Sequence, residues 1–255
     1  MRFWPSYTVP ARYPLRNWSF ETFQTVQVIG AGRVGSAIAA RLRERGVAVR
    51  EEGAELVLLC VPDAAIAEVA GTIEPGPWVA HVSGATPLAA LDPHERRFGL
   101  HPLQTFTRSR GPEQLDGAWA AVTAETPEAL ERGSALARTL GLEPFELDDA
   151  ARVLYHAGAA VASNYLVTIH QAASALLEEA GAPPEALVPL MRRTIENGFE
   201  LTGPIARGDW ETVERHRRAI REARPEYERL YDVLAEATQR GPRRVQSTLR
   251  GRAAR

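Results

Sequence analysis

The chain contains no lysine: all 30 of its Lys and Arg positions are arginine. This absence excludes any mechanism that needs a lysine, whether as Schiff-base former or as general acid. Cysteine is nearly absent too. Cys60 stands alone inside an apolar run, so no disulfide framework exists within the chain, and a reducing cytoplasm is the expected compartment. No apolar run approaches the roughly 18 residues of a membrane helix. The amino terminus carries Trp4, Pro5, Pro10 and Pro14 but no apolar signal core, so neither a membrane nor secretion is expected. A net charge of −2 offers no bulk attraction to nucleic acid. No Cys/His cluster has metal-ligand spacing, so no metal site is expected.

What is present is organised around Val26-Gln27-Val28-Ile29-Gly30-Ala31-Gly32-Arg33-Val34-Gly35. It reads as a buried strand, a tight glycine turn and the first turn of a helix. The glycines have G-x-G-x-x-G spacing: Gly30 for the turn, Gly32 for close approach of a pyrophosphate, Gly35 for helix–strand packing. Val34, Ile38 and Leu42 then mark one helix face. A dinucleotide site is the expected use of this turn; a bare βα turn is the alternative. Gly30, Ala31, Gly32, Arg33, Val34 and Gly35 are its cofactor candidates. Arg50, Val61, Pro62 and Ser83, at the ends of later strands, join them. An arginine about 20 residues past the first glycine favours the 2′-phosphate of NADP. Arg50 has that place and Arg33 lies in the turn, so NADP is preferred and NAD stays open, since Glu51 and Glu52 follow at once.

Taken in order, residues 1–24 form an extension without clear period. Residues 25–147 alternate strands and helices, as a Rossmann-like, doubly wound parallel sheet does. One piece is odd: only Glu51 to Glu55 separate the second strand from the third, whereas a parallel crossover normally takes about a dozen residues. Either the second strand is cut short or a bare loop replaces the helix, and the adenosine pocket beside it is affected. From 148 to 239 the pattern is all-helical, with Asp148 or Asp149 capping a long first helix. Residues 240–255 carry six arginines and no core, as a disordered basic tail would.

Ligands of open α/β sheets bind at the carboxyl ends of strands. Asp63, Ser83 and His101 stand there. His101 can pass a proton near neutrality; Ser83 is equally a turn residue before Gly84. On the long helix His156, Ser163 and His170 share a face, with Asn164 close to that of His156. This face is either a helix–helix seam or part of a site. His94 and His216 read as surface residues. Arg207, in a Thr-Gly-Pro loop, either binds a substrate carboxylate or forms an ion pair that fixes the loop to Asp209 or to a partner subunit.

Together the segments IGAGRVGSAIA (29–39), LCVPDAAI (59–66), HVSGA (81–85), LHPLQTF (100–106), YHAGAAVASNYLV (155–167) and LTGPIARGD (201–209) resemble a family of NAD(P)-binding proteins. Its members join a Rossmann-like domain to a helical domain of unknown function and are often provisionally named oxidoreductases. The wider superfamily includes 6-phosphogluconate, hydroxyisobutyrate and prephenate dehydrogenases. The resemblance implies NADP or NAD in the first domain, dimerisation through the helices and an active cleft between the domains. Ser83 and His101 resemble the strand-end serine and His-Pro of prephenate dehydrogenases. Asn164 matches the helix asparagine of the hydroxy-acid dehydrogenases; their lysine is missing, and His156 is the nearest substitute.

The expected function is therefore an NADP(H)-dependent oxidoreductase acting on a small carbonyl, imine or hydroxy acid. His101 would move the proton, with Ser83, His156 and Asn164 orienting the reactants and Arg207 holding a carboxylate. A homodimer is expected, with no nucleic-acid or membrane partner. The rivals are a dinucleotide-binding protein without turnover and a prephenate-type dehydrogenase.

Overall fold

The computed structural model describes residues 23–241. Most of the expected extension, and the expected tail from residue 242, lie outside the described residues. Phe23, near the end of that extension, is core: it is 1% exposed and stacks on Phe98 at 6.2 Å. Contacts divide the chain into two compact units, residues 1–163 and 164–255.

The first unit is built on a seven-stranded sheet of order β2-β1-β3-β4-β5-β6-β7. The strands are β1 (Thr25–Ile29), β2 (Ala48–Val49), β3 (Leu56–Leu59), β4 (Trp78–His81), β5 (Arg97–Leu103), β6 (Trp119–Thr123) and β7 (Glu143–Glu146). Helices α1 (Arg33–Glu44), α2 (Ile66–Ala70) and α3 (Pro127–Thr139) connect them. Every residue of β3 and β4 is buried, as expected of strands covered on both faces. Alternation along β3 shows the two faces: Leu56 and Leu58 enter one apolar cluster with Ile38 and Leu42 of α1, while Val57 and Leu59 enter a second with Ile66 and Ala70 of α2. The sheet is thus doubly wound.

The sheet departs from the all-parallel expectation at one step. β5 and β6 pair antiparallel, Gly99 opposite Thr123 through Leu103 opposite Trp119. Their link contains a single 3₁₀ turn, Pro112–Leu115, and no helix to carry the chain back, so the return strand runs the other way. The short link between β2 and β3 resolves in both of the ways considered. β2 is two residues long and pairs only with Thr25 and Val26, at the amino-terminal end of β1. β3 starts level with that same Val26. The chain therefore passes under the foot of β1 without climbing the sheet, and a bare loop suffices.

Thr126 caps α3 by accepting from Ala129 N, Pro127 sits in the first turn, and Gly141 leaves with φ +86°. Asp148 caps a 3₁₀ turn, Asp149–Ala151, that opens α4 (Arg152–Glu179). No strand follows β7, which ends at Glu146, among the described residues. The compact units, however, part inside α4, between Ser163 and Asn164, because the first turns of α4 are anchored to the sheet by Arg152.

The second unit comprises the rest of α4 with α5 (Leu187–Glu196), α6 (Trp210–Ala223) and α7 (Glu228–Arg240). Asp209 caps α6 by accepting from Thr212 N at 3.1 Å. Arg217 pairs with Asp232, and Arg221 with Glu228, between α6 and α7. No described helix is long and apolar enough to cross a membrane.

Candidate dinucleotide and proton-transfer site

The glycine turn follows β1 directly. Gly30 has φ +113°, a conformation L side chains rarely adopt, and a Cβ there would lie 2.4 Å from the carbonyl oxygen of Cys60. Gly35 is tighter still: a Cβ would meet Gly30 O at 2.0 Å and Cys60 Cβ at 3.0 Å. These two glycines let α1 and the end of β3 close on the turn. Gly32 differs, since a Cβ there would meet nothing within 4 Å. It caps α1, and among the described residues no side chain bonds that helix start. The first-turn N–H groups of Arg33, Val34 and Gly35 are left for a ligand, with the helix dipole favouring an anion. Ala31 and Arg33 are exposed beside Gly32, Val34 and Val61 are half-buried, and Pro62 is exposed beyond β3. This open cradle fits a pyrophosphate.

Arg50 stands elsewhere. Its N–H donates to Val26 O at 3.0 Å, four residues before Gly30, roughly 13 Å along the strand. Because β2 ends early, no strand carries Arg50 to the level of the turn. Arg33, at the first position of α1, is at that level.

The second part of the site lies at the carboxyl ends of β4 and β5. β4 pairs only as far as His81 with Gly99, so His101, two residues on, projects past it. His101 is a residue of β5 itself rather than of the loop after it, held by pairing with Ala121. The Ser83 hydroxyl is engaged in its own turn: it accepts from Ala85 N (3.2 Å) and Thr86 N (3.0 Å) and donates to Thr86 Oγ1 (2.9 Å). It shapes the loop that carries Gly84. A Cβ on Gly84 would sit 2.6 Å from His156 Cδ2 and 2.9 Å from both Cε1 and Nε2 of His101. The two imidazoles thus converge on one glycine, their centroids 5.9 Å apart. Gly84→Ala is expected to push both rings from this point and to lower turnover at least tenfold while leaving dinucleotide affinity unchanged; equal turnover in both proteins would refute the convergence.

Three residues that sequence reasoning did not assign complete the arrangement. Arg152 is 1% exposed, a buried cation. It donates to Thr123 Oγ1 at 2.8 Å and to the carbonyl of Ser83, with Asp149 at 3.9 Å. Asp149 in turn accepts from Leu88 N. Arg152 thereby ties α4 to β6 and to the Ser83 turn. Tyr155, one turn on, places its hydroxyl 2.8 Å from His101 Nδ1. His81 is fully buried, and neither ring nitrogen has a hydrogen-bond partner among the described residues. Partners 29 and 69 residues away explain why Arg152 is silent in the sequence. Tyr155, beside His156 in a segment rich in small residues, offered the one local signal.

Electrostatics here disfavour added positive charge. Burial, then the nearby Arg152, pushes His81 down to about 3. Burial, then His156 and Arg152, pushes His101 down to about 4 despite Asp63. Burial raises Tyr155 to about 12. The His81 shift carries a stability consequence. Its folded value lies below the unfolded 6.5, so below pH 6.5 the unfolded chain binds a proton that the fold refuses. Stability is whole above 6.5 and falls with pH toward about 3, at up to about 1.4 kcal/mol per pH unit. Urea unfolding should show His81→Leu losing about 2 kcal/mol less than wild type between pH 6.5 and 5; identical losses would contradict this.

Asn164 is exposed and begins the second unit, eight residues past His156 on α4. Ser163 donates to Ala159 O of its own helix. Arg207 donates to the Thr202 carbonyl, inside its own loop. His216 is exposed and meets the Tyr231 hydroxyl at 2.9 Å. His94, expected at the surface, is instead buried: its Nε2 lies 2.9 Å from Ala70 O, where the β4–β5 loop folds onto the end of α2.

Residues 118–238 match the model of a family described as a domain of unknown function, DUF2520. The DUF2520 segment contains Arg152, Tyr155 and His156 but neither His101 nor the glycine turn. A structure from Bacteroides fragilis, provisionally named an NADP oxidoreductase, is similar at TM-score 0.72 and 22% identity, over 85% of this chain and 98% of that one. A Thermotoga maritima protein is similar at 0.68 and 23%, over 84% and 96%. A reductive aminase from Aspergillus terreus, in complex with NADPH and ethyl-5-oxohexanoate, is similar at 0.56 and 15%, over 87% and 95%. At these identities the likeness establishes a shared fold: a Rossmann-like sheet followed by helices. No curated protein matches the chain in sequence.

Proposed function

We propose that the chain is an NADP(H)-dependent oxidoreductase acting on a small carbonyl, imine or hydroxy-acid substrate. The observation that carries this reading is the pairing, at the carboxyl ends of the strands, of an open glycine cradle with two imidazoles, His101 and His156, that converge on Gly84. Provisional NADP oxidoreductase naming in one neighbour, and NADPH in the reductive aminase, support it.

Bound nicotinamide dinucleotide would supply or accept the hydride. Gly30, Ala31, Gly32, Arg33, Val34 and Gly35 would hold its pyrophosphate through backbone N–H groups, with Val61 and Pro62 lining the next strand end. Arg33, at the level of the turn, is our candidate for the 2′-phosphate. His101 handles the proton at its Nε2. His156 converges with it, and Ser83 shapes the loop between them. Asn164 and Arg207 remain candidates for orienting substrate.

Turnover distinguishes this from binding without catalysis, a reading that the truncated β2 and the missing lysine favour. Oxidation of NADPH would be followed with small keto acids, ketones and cyclic imines, and reduction of NADP with the matching hydroxy acids and prephenate. Turnover of any class is the expected result; NADPH binding with no turnover would establish the non-catalytic reading.

We also infer a homodimer formed through the helical unit. Leu190 (61% exposed), Phe199 (68%) and Val233 (56%) are large apolar side chains left open on it, more than a solvated helical surface usually shows. Light scattering should give twice the 27.9 kDa chain mass; a monomer would refute it.

A further inference from the structure

The His101–Tyr155 pair divides the imidazole into two ends. Nδ1 faces the tyrosine hydroxyl at 2.8 Å, with the rings edge-on at 5.5 Å. Nε2 faces the Gly84 position, where His156 also arrives. Tyr155 cannot swing freely. Phe145 packs on its ring at 5.9 Å, and Arg152, one turn earlier, is pinned to Thr123 and Ser83. One nitrogen is committed to a fixed partner and the other is offered outward.

We propose that Tyr155 is the proton source of this site and acts through His101, which works as a neutral relay. The proposal rests on the oxidoreductase reading above. In the resting state the tyrosine O–H donates to Nδ1, so the ring hydrogen sits on Nε2. During reduction of a carbonyl or imine by NADPH, the Nε2–H bond breaks and an O–H or N–H bond forms on the substrate. The Tyr155 O–H bond breaks and Nδ1–H forms. The imidazole ends neutral in its other tautomer. The tyrosinate left behind lies near Arg152, which favours the anion; it takes its proton back from Nδ1 as Nε2 takes one from water, and the resting tautomer is restored.

The surroundings explain why an imidazolium is not the acid. Burial disfavours positive charge on His101 most, followed by His156 and Arg152 on α4; Asp63 beyond β3 opposes them. His81 on β4 is itself neutral and adds none. An imidazolium is therefore scarce at neutral pH, while burial keeps the Tyr155 hydroxyl protonated. Tyr155 acts through His101, the group it touches.

The test needs no substrate. Long-range proton–nitrogen NMR on protein labelled with ¹⁵N-histidine reports the tautomer of each ring, and the signals missing in His101→Asn identify His101. The expected wild-type result is a single Nε2–H tautomer from pH 6 to 9, without an imidazolium. Tyr155→Phe should bring in the Nδ1–H form and raise the titration point, since the donor that favoured neutral Nδ1 is gone. A wild-type Nδ1–H tautomer, an imidazolium at pH 6, or an unchanged spectrum in Tyr155→Phe would overturn the proposal. The wild-type spectrum decides even if the variant does not fold. Failure of NADPH to bind would defeat the oxidoreductase reading separately, leaving this spectrum unaltered.

Discussion

Gly35→Ala is expected to destabilise the first unit by about 3 kcal/mol or more, at or beyond the upper end of ordinary overpacking. The added methyl would lie 2.0 Å from the Gly30 carbonyl oxygen and 3.0 Å from Cys60 Cβ. The nearer atom is backbone, in a turn that also packs on the Cys60 carbonyl, so no flexible side chain can yield. Against a typical total of about 5–15 kcal/mol, such a loss is a large fraction. Gly32→Ala supplies the contrast. Its Cβ meets nothing, and its φ of −73° suits alanine, so its cost should stay within about 1 kcal/mol, the range of cap substitutions. Its methyl enters the space kept for the pyrophosphate, and NADPH affinity should fall at least tenfold. Urea unfolding and NADPH titration of both variants check the pair. Gly35→Ala as stable as wild type, or Gly32→Ala binding normally, would contradict the division of roles.

His101→Asn should lower kcat by about 10²–10⁴, the usual worth of a positioned acid–base group, with NADPH affinity unchanged within twofold. Asparagine is a fair probe because its amide can still reach toward Tyr155 as Nδ1 does. What it lacks is Nε2, the atom at the Gly84 position. Single-turnover kinetics with a carbonyl substrate would isolate the step. Undiminished turnover would remove His101 from the mechanism.

The parts of this fold legible in the sequence are those with local causes. The strand–turn–helix around Gly30 announces itself through glycine spacing and the Val34-Ile38-Leu42 face. α3 shows its proline start and glycine end. The buried run of β3 needs no partner to be seen. Strand direction is a different matter. Apolar content is the same whether a strand runs up or down, and only the missing helix between β5 and β6 hints at the reversal. The odd link before β3 was visible, but its solution depended on where β2 pairs, at the foot of β1 rather than beside the turn. That pairing also separates Arg50 from the glycine turn, which residue counting cannot foresee.

The candidate site was legible in its chemistry-bearing residues and not in their support. His101 and His156 could be picked out by position and type; Gly84, which reads only as the residue after Ser83, could not, although both rings meet its position. Arg152 could not, since nothing near it in sequence shows that Thr123 and the Ser83 carbonyl await it. His94 misled for a related reason: a polar residue in a loop reads as exposed until Ala70 O is found beside it. Tyr155 lay next to His156 all along, but the contact that defines it belongs to a strand 54 residues away.

The central claim is that the glycine cradle holds a nicotinamide dinucleotide despite the shortened β2. Calorimetric titration of the purified protein with NADPH and with NADH tests it most directly. Tight NADPH and weaker NADH binding is the predicted result, with the difference reduced in Arg33→Ala and kept in Arg50→Ala. Binding of neither would contradict the account: the cradle would then be a structural turn, and the oxidoreductase reading would fall with it.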